Sequence, residues 1–132
     1  MTSTRITPAD VIAAFRRETG HPVQRRPQIS SISGRIVPLV PSAPLKEMFG
    51  RFQLGVFESV NATENARPPI KPTPEGIYWE EQYPLDEREA PYWSARKFYG
   101  NVQLIWWADV RAIDGRWKRL DRILSDLAPQ GA

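Results

Sequence analysis

The sequence contains no cysteine and a single histidine, His21. Without cysteine, the chain has no disulfide scaffold, no thiolate nucleophile, no iron–sulfur cluster and no cysteine-based zinc site. One histidine excludes a metal site built from several histidines of the same chain. No phosphate-binding loop and no Gly-x-Gly-x-x-Gly fingerprint is present either. We therefore expect no cofactor and no metal, and we assign no catalytic residue.

Long hydrophobic runs are also missing. No uninterrupted apolar run exceeds five residues, as in residues 104–108, whereas a membrane helix needs about 20. Charged residues interrupt the first twenty positions, which is not the pattern of a signal peptide. We expect a soluble, cytoplasmic protein, and the abundance of arginine, alanine and proline suggests a bacterial or phage origin.

The 132 residues predict one domain, 1–132, with room for one hydrophobic core. Its first segment, 1–20, is predicted to hold a helix of about twelve residues. Thr7 is placed as the N-cap, Pro8 as the first helical residue and Asp10 as the acid that returns the cap's hydrogen bond. Gly20 is expected to end this helix.

Residues 21–47 form a proline-rich basic arm, in which interior helix and central strand are both disfavoured. Within it, residues 35–40 predict a short edge strand. Residues 48–132 are predicted to contain the sheet and a C-terminal helix. There, the alternation of Phe52, Leu54 and Val56 indicates a half-buried strand. Residues 76–83 predict an aromatic-rich strand, and residues 101–107 predict a central one.

Two segments after residue 90 allow helical interpretations. Residues 91–99 suggest a short helix stopped by Gly100. At the C-terminus, apolar residues spaced three and four apart favour one helix over 109–127. The competing interpretation continues the preceding strand to Ile113 and begins the helix at an Asp114 cap. The heptad-like spacing also predicts a homodimer through the C-terminal helix.

Together these elements predict an α+β fold. We expect a three- to four-stranded, mostly antiparallel sheet packed by an N-terminal and a C-terminal helix, with a proline-rich extended arm along one edge.

Charge is distributed unevenly, although the whole chain carries a formal net charge of only +3. Residues 16–35 hold five arginines and one glutamate, a net charge of +4. Residues 75–89 hold six acidic residues and one arginine, a net charge of −5. The two segments either pair within the monomer or face apart, in which case they can steer a charged partner.

Tryptophan supplies the candidate binding residues. Trp106 and Trp117 lie on predicted core faces. Successive strand residues point to opposite faces, so Trp79, Trp93 and Trp107 are the better candidates for an interface. The same rule makes Glu80 and Glu81 a poor catalytic pair and favours a solvated acidic edge. The candidate partner-binding residues are Trp79, Trp93, Trp107, Glu80, Glu81, Arg25 and Arg26.

No segment matches the motif set of a known family. The favoured hypothesis is a small non-catalytic protein that docks a protein partner as a regulator, an inhibitor or an assembly component. A first alternative is nucleic-acid binding through the basic arm from Arg16 to Arg35. A second is a small enzyme or ligand binder with an aromatic pocket and Glu80 or Glu81.

Overall fold

A computed structural model describes residues 5–32 and 34–127. The predicted domain limits at residues 1 and 132 lie outside these ranges. Within them the chain forms three α-helices, seven strands and one 3₁₀ helix. In chain order these are α1 (Pro8–Thr19), β1 (Gln24–Arg25), β2 (Ile29–Ser31), β3 (Gly34–Val40), α2 (Ala43–Phe49), β4 (Phe52–Phe57), the 3₁₀ helix (Asn61–Ala66), β5 (Tyr78–Gln82), β6 (Tyr92–Tyr99), β7 (Val102–Ala108) and α3 (Gly115–Ser125).

The predicted α+β class is confirmed, but the sheet has seven strands instead of three to four. Its order is β1-β3-β4-β7-β6-β5, and β2 pairs with β3 beside β1. Every pairing is antiparallel. The additional strands come from the basic arm and from the segment that we predicted as a second helix.

The arm can join the sheet because its prolines lie outside the residues of β1 and β2 that pair with β3. Gln24 and Arg25 pair with the end of β3, and Ile29 to Ser31 pair with its beginning. Pro38 lies between these two pairings, and its carbonyl accepts a hydrogen bond from the Arg26 N–H at 2.9 Å. A proline inside a strand is tolerated at such an interruption. The strand predicted for residues 35–40 is therefore present, but it is flanked on both sides.

The helix predicted for residues 91–99 is wrong, because this segment is strand β6. Gly100 does not stop a helix. With Asn101 it forms the two-residue turn between β6 and β7, with Tyr99 and Val102 paired on either side. Gly100 has φ 59° while Asn101 has a negative φ, as expected where glycine takes the first central position of a hairpin turn.

The favoured prediction of one helix over 109–127 is also wrong, because it places the start of the helix too early. α3 begins at Gly115, and the Asp114 carboxylate accepts hydrogen bonds from the Arg116 and Trp117 backbone N–H groups. The competing interpretation placed this cap correctly, but β7 ends at Ala108, so residues 109–113 are neither strand nor helix. Helix α2 was not predicted, although Pro44 lies in its first turn, where proline is well tolerated.

Helix α1 follows the prediction closely. Thr7 and Asp10 form the reciprocal capping box, and Gly20, with φ 79°, ends the helix. Because the cap satisfies backbone donors that a helix start otherwise leaves unpaired, it is typically worth about 1 kcal/mol.

The three α-helices pack on one face of the sheet around a single core. The rings of Phe15 in α1 and Phe52 in β4 stack at 5.9 Å, and the Phe49 ring of α2 meets both edge to face at 6.0 to 6.4 Å. As expected, Trp106 and Trp117 are buried in this core, where their centroids lie 5.8 Å apart. The apolar residues of α3 are buried within the same chain, namely Trp117, Leu120, Ile123 and Leu124. Their heptad-like spacing is thus accounted for by packing inside the monomer.

Two polar contacts fasten elements to this core. Asp121 of α3 accepts hydrogen bonds from Lys97 Nζ and Tyr99 Oη of β6, each at 2.7 Å. Burial, with the hydrogen bond to Asp121, raises the pKa of Tyr99 far above its ordinary value. The buried Asn101 side chain joins the hairpin turn to the start of α1 and the end of β4. Its amide bonds to the backbone of Ile6 and Phe57 at 2.7 to 2.9 Å.

Among the described residues, no helix has the length and apolar character that spanning a bilayer requires.

Candidate functional site: the acidic edge of the sheet

The two charged segments occupy opposite edges of the sheet. The arm supplies β1 and β2 at one edge, while β5, in the middle of the acidic segment, forms the other. Five strand spacings, roughly 24 Å, separate β1 from β5. In the described part of the chain, no ion pair joins the two segments. The charges therefore face apart.

Strand β5 divides its side chains between the two faces of the sheet. It pairs with β6 so that Trp79 lies opposite Ala95, and Glu81 lies opposite Trp93. These residues share the face that carries the helices. Tyr78, Glu80 and Gln82 lie on the other face. On its outer side, β5 pairs with no strand of the described chain.

On the helix-bearing face, an aromatic pair sits beside an unneutralised carboxylate. The rings of Trp79 and Trp93 meet edge to face, with centroids 6.4 Å apart. Both are half-buried, and Trp79 packs against the core. The Arg111 guanidinium lies 5.6 Å from the Trp93 ring. Glu81 is exposed and accepts a hydrogen bond from the Tyr83 hydroxyl, which raises the pKa of Tyr83.

On the opposite face, β5 is fixed by contacts with β6 and the 3₁₀ helix. The Tyr78 ring meets Phe98 edge to face at 6.0 Å. Glu80 lies 3.6 Å from Arg96 Nη2, and the same guanidinium donates a hydrogen bond to the Ala66 carbonyl at 3.2 Å. Gln82 Nε2 donates to Ser94 Oγ at 3.1 Å. Glu80 thus forms an ion pair with Arg96 within the sheet.

The segment that follows β5 extends the acidic surface. Tyr83 is 73% exposed and Leu85 is fully exposed. Arg88 is the one basic residue between positions 80 and 90, and it pairs with Asp86 at 3.0 Å, which lowers the pKa of that carboxyl. Among the described residues no cation pairs with Glu81, Glu87 or Glu89. The edge therefore keeps a concentrated negative charge. We call the surface formed by β5 and residues 83–90 the acidic edge.

Of the seven residues predicted from the sequence, the structure brings Trp79, Trp93 and Glu81 together. Glu80 is their neighbour in the chain but lies on the other face. The two carboxylates therefore do not converge as the pair used in acid–base catalysis must. Tyr83, Leu85 and Arg111 were not among the residues predicted from the sequence, and the structure places them at or beside this surface. Only the unusual Tyr83-Pro84-Leu85 run, apolar within an acidic stretch, signals the first two in the sequence.

The other three predicted residues lie away from the acidic edge. Trp107 is on the face of β7 opposite the three α-helices, with the Arg51 guanidinium 4.5 Å from its ring. Arg25 and Arg26 line different cavities. Arg25 shares its cavity with Arg35, whereas Arg26 lies in the other, so the arginines of the arm do not all converge on one face, as binding to a phosphate backbone requires.

Comparison of this chain with protein-family models, with curated proteins and with solved structures found no match. Within residues 5–32 and 34–127, no group of three acidic or histidine side chains is placed to hold a metal ion.

Proposed function

We propose that this chain is a non-catalytic protein-binding domain that acts in the cytoplasm as a regulator, an inhibitor or an assembly component. Its acidic edge takes an extended, lysine- or arginine-rich segment of a partner protein as an additional strand beside β5. The observation that carries this proposal is the coincidence of an unpaired strand edge with the most acidic segment of the chain.

The unpaired edge supplies the backbone chemistry. An edge strand presents alternate N–H and C=O groups that a second strand satisfies, which is how several peptide-binding domains capture extended ligands. β5 is held firmly from inside by five register pairs with β6. An added strand therefore meets a rigid template.

Charge selects the partner. Acidic side chains on an edge discourage pairing with acidic or neutral strands, and they attract a basic one. The exposed Tyr83 and Leu85 extend the contact surface beyond β5, and the partly exposed Trp79 and Trp93 offer apolar area beside it. Aromatic residues of this kind are enriched among those that dominate binding energy at interfaces.

A short synthetic strand tests this proposal. The probe is a fluorescently labelled seven-residue peptide that alternates lysine and valine, and its affinity is measured by fluorescence anisotropy at low salt. We expect it to bind roughly tenfold more tightly than either of two controls. One control replaces lysine with glutamate, and the other carries N-methyl groups on alternate backbone nitrogens.

The two controls separate the two parts of the proposal. Equal binding of the glutamate–valine peptide would show that charge does not select the ligand. Equal binding of the N-methylated peptide would show that backbone hydrogen bonds, and hence strand addition, are not involved. A second copy of this chain, offering its own basic β1–β2 edge, is the competing occupant. Concentration-dependent self-association that the lysine–valine peptide does not displace would identify it.

A further inference from the structure

A separate groove lies near the basic edge of the sheet, between the end of β3, helix α2 and the start of β4. The groove is open to solvent and has a volume of about 600 Å³, which is within the range of small-molecule sites. Its polar lining includes Gln24, Arg26, Lys46, Arg51 and Gln53, and Trp107 forms part of the wall. No carboxylate lines it.

Three cations from three different elements meet in this groove. Arg26 directly follows β1, Lys46 belongs to α2, and Arg51 directly precedes β4. All three are exposed, and within the described residues none of them forms an ion pair. Convergent cations without an acidic counterpart favour a multiply charged anion, and guanidinium groups match phosphate oxygens in geometry.

The groove wall carries a second, independent feature. Ser42 is one of the lining residues, and its buried hydroxyl oxygen has no hydrogen-bond partner among the described residues. Buried polar groups are normally satisfied, so an unpaired one needs an explanation such as a ligand. The half-buried Trp107 ring adds a flat apolar surface to this wall, and the Arg51 guanidinium lies over it, 4.5 Å from the ring centroid.

We propose that this groove binds a small phosphorylated molecule with a flat apolar group, of which a nucleotide is the simplest example. Its phosphate is held by Arg26 and Lys46, and its ring stacks on the Arg51 guanidinium, which itself lies over Trp107. A long nucleic acid fits the surface less well. The neighbouring Arg25 lines another cavity, with Arg5, Arg35 and Glu58, so the cations of the arm are divided between two separate cavities. This site is independent of the acidic edge.

Isothermal titration calorimetry with three probes tests the site: pyrophosphate, ribose 5-phosphate and adenosine monophosphate. We expect all three to bind, the nucleotide most tightly. Arg26→Gln and Lys46→Gln should each weaken binding roughly tenfold, as loss of one charge-assisted hydrogen bond implies. Lys118→Gln is the matched control, because Lys118 is also exposed on a helix but lies outside the groove. Trp107→Leu should remove the advantage of the nucleotide over ribose 5-phosphate.

Three results would overturn the proposal. The first is no detectable heat with any probe at about 1 mM, a concentration at which even weak sites are occupied. The second is a loss of affinity in Lys118→Gln as large as in Arg26→Gln and Lys46→Gln, which would show that only the net charge of the protein matters. The third is an affinity for single-stranded oligonucleotides that rises steadily with their length, which would replace the small molecule with a nucleic acid.

Discussion

Replacing Glu81, Glu87 and Glu89 together with lysine is expected to weaken binding of the lysine–valine peptide roughly thirtyfold, because each reversal turns an attraction into a repulsion. The glutamate–valine peptide should gain affinity in the same variant. All three carboxylates are exposed and lack a cationic partner in the described chain, so the reversal should leave the fold intact. Fluorescence anisotropy at two salt concentrations measures the effect, which salt should reduce by screening.

The matched control reverses three acids elsewhere. Glu18, Glu47 and Asp126 are exposed and lie at or near the C-terminal ends of the three α-helices. The helix dipole favours lysine at these positions, and the exposed Arg17–Glu18 ion pair that the variant breaks contributes little to stability. This variant has the same net charge as the first. If it loses as much affinity, the effect belongs to overall charge, and the acidic edge is not the binding surface.

The second large effect concerns the fold. Asn101→Ala is expected to lower the free energy of unfolding by about 3 kcal/mol, because it leaves buried backbone groups of Ile6 and Phe57 without their side-chain partner. For a chain of this size, that corresponds to a melting temperature lower by about 10 °C. Thermal and chemical unfolding followed by circular dichroism measure both values.

Two further variants sharpen this prediction. Asn65→Ala removes an exposed amide from the 3₁₀ helix, and it should change stability by less than about 0.5 kcal/mol. Asn101→Asp keeps the size and one acceptor but places a charge beside two carbonyl groups. Desolvation and these carbonyls should raise the pKa of the introduced carboxyl. Its stability should therefore improve as the pH falls through that pKa, because only the protonated form can donate. If Asn101→Ala lowers the free energy of unfolding by as little as Asn65→Ala does, the Asn101 side chain does not hold the turn to Ile6 and Phe57 as assigned.

The sequence was sufficient to predict those elements whose structure depends on a few neighbouring residues. Thr7, Asp10 and Gly20 specify the ends of α1 by their own backbone and side-chain chemistry. The alternation of Phe52, Leu54 and Val56 likewise specifies β4, because a strand with one buried face repeats every two residues.

The same kind of signal was ambiguous at Gly100. A glycine with positive φ ends helices and also makes hairpin turns, and only the pairing of β6 with β7 decides between them. The helical spacing before Asp114 was misleading for a related reason. Apolar residues of a loop extended the pattern of α3 by chance, whereas the Asp114 cap marks its true start.

The candidate site required the topology of the whole sheet. Strand alternation separates Glu80 from Glu81 and Trp106 from Trp107, and the structure agrees on both pairs. Strand alternation in the sequence does not reveal that Trp93 lies beside Trp79, because that contact depends on the register of β5 against β6. Nor does the sequence place the basic and acidic segments at opposite edges, since strand order is a property of the fold.

Hydrogen–deuterium exchange of backbone amides, measured by NMR with and without the lysine–valine peptide, tests the central claim most directly. An edge strand directs alternate amides outward. We predict that the peptide protects those amides of Tyr78–Gln82 that do not bond to β6, with little change at the basic edge. Binding that leaves these amides exchanging at their free rate, or that protects a different surface, would contradict the proposed addition of a strand to β5.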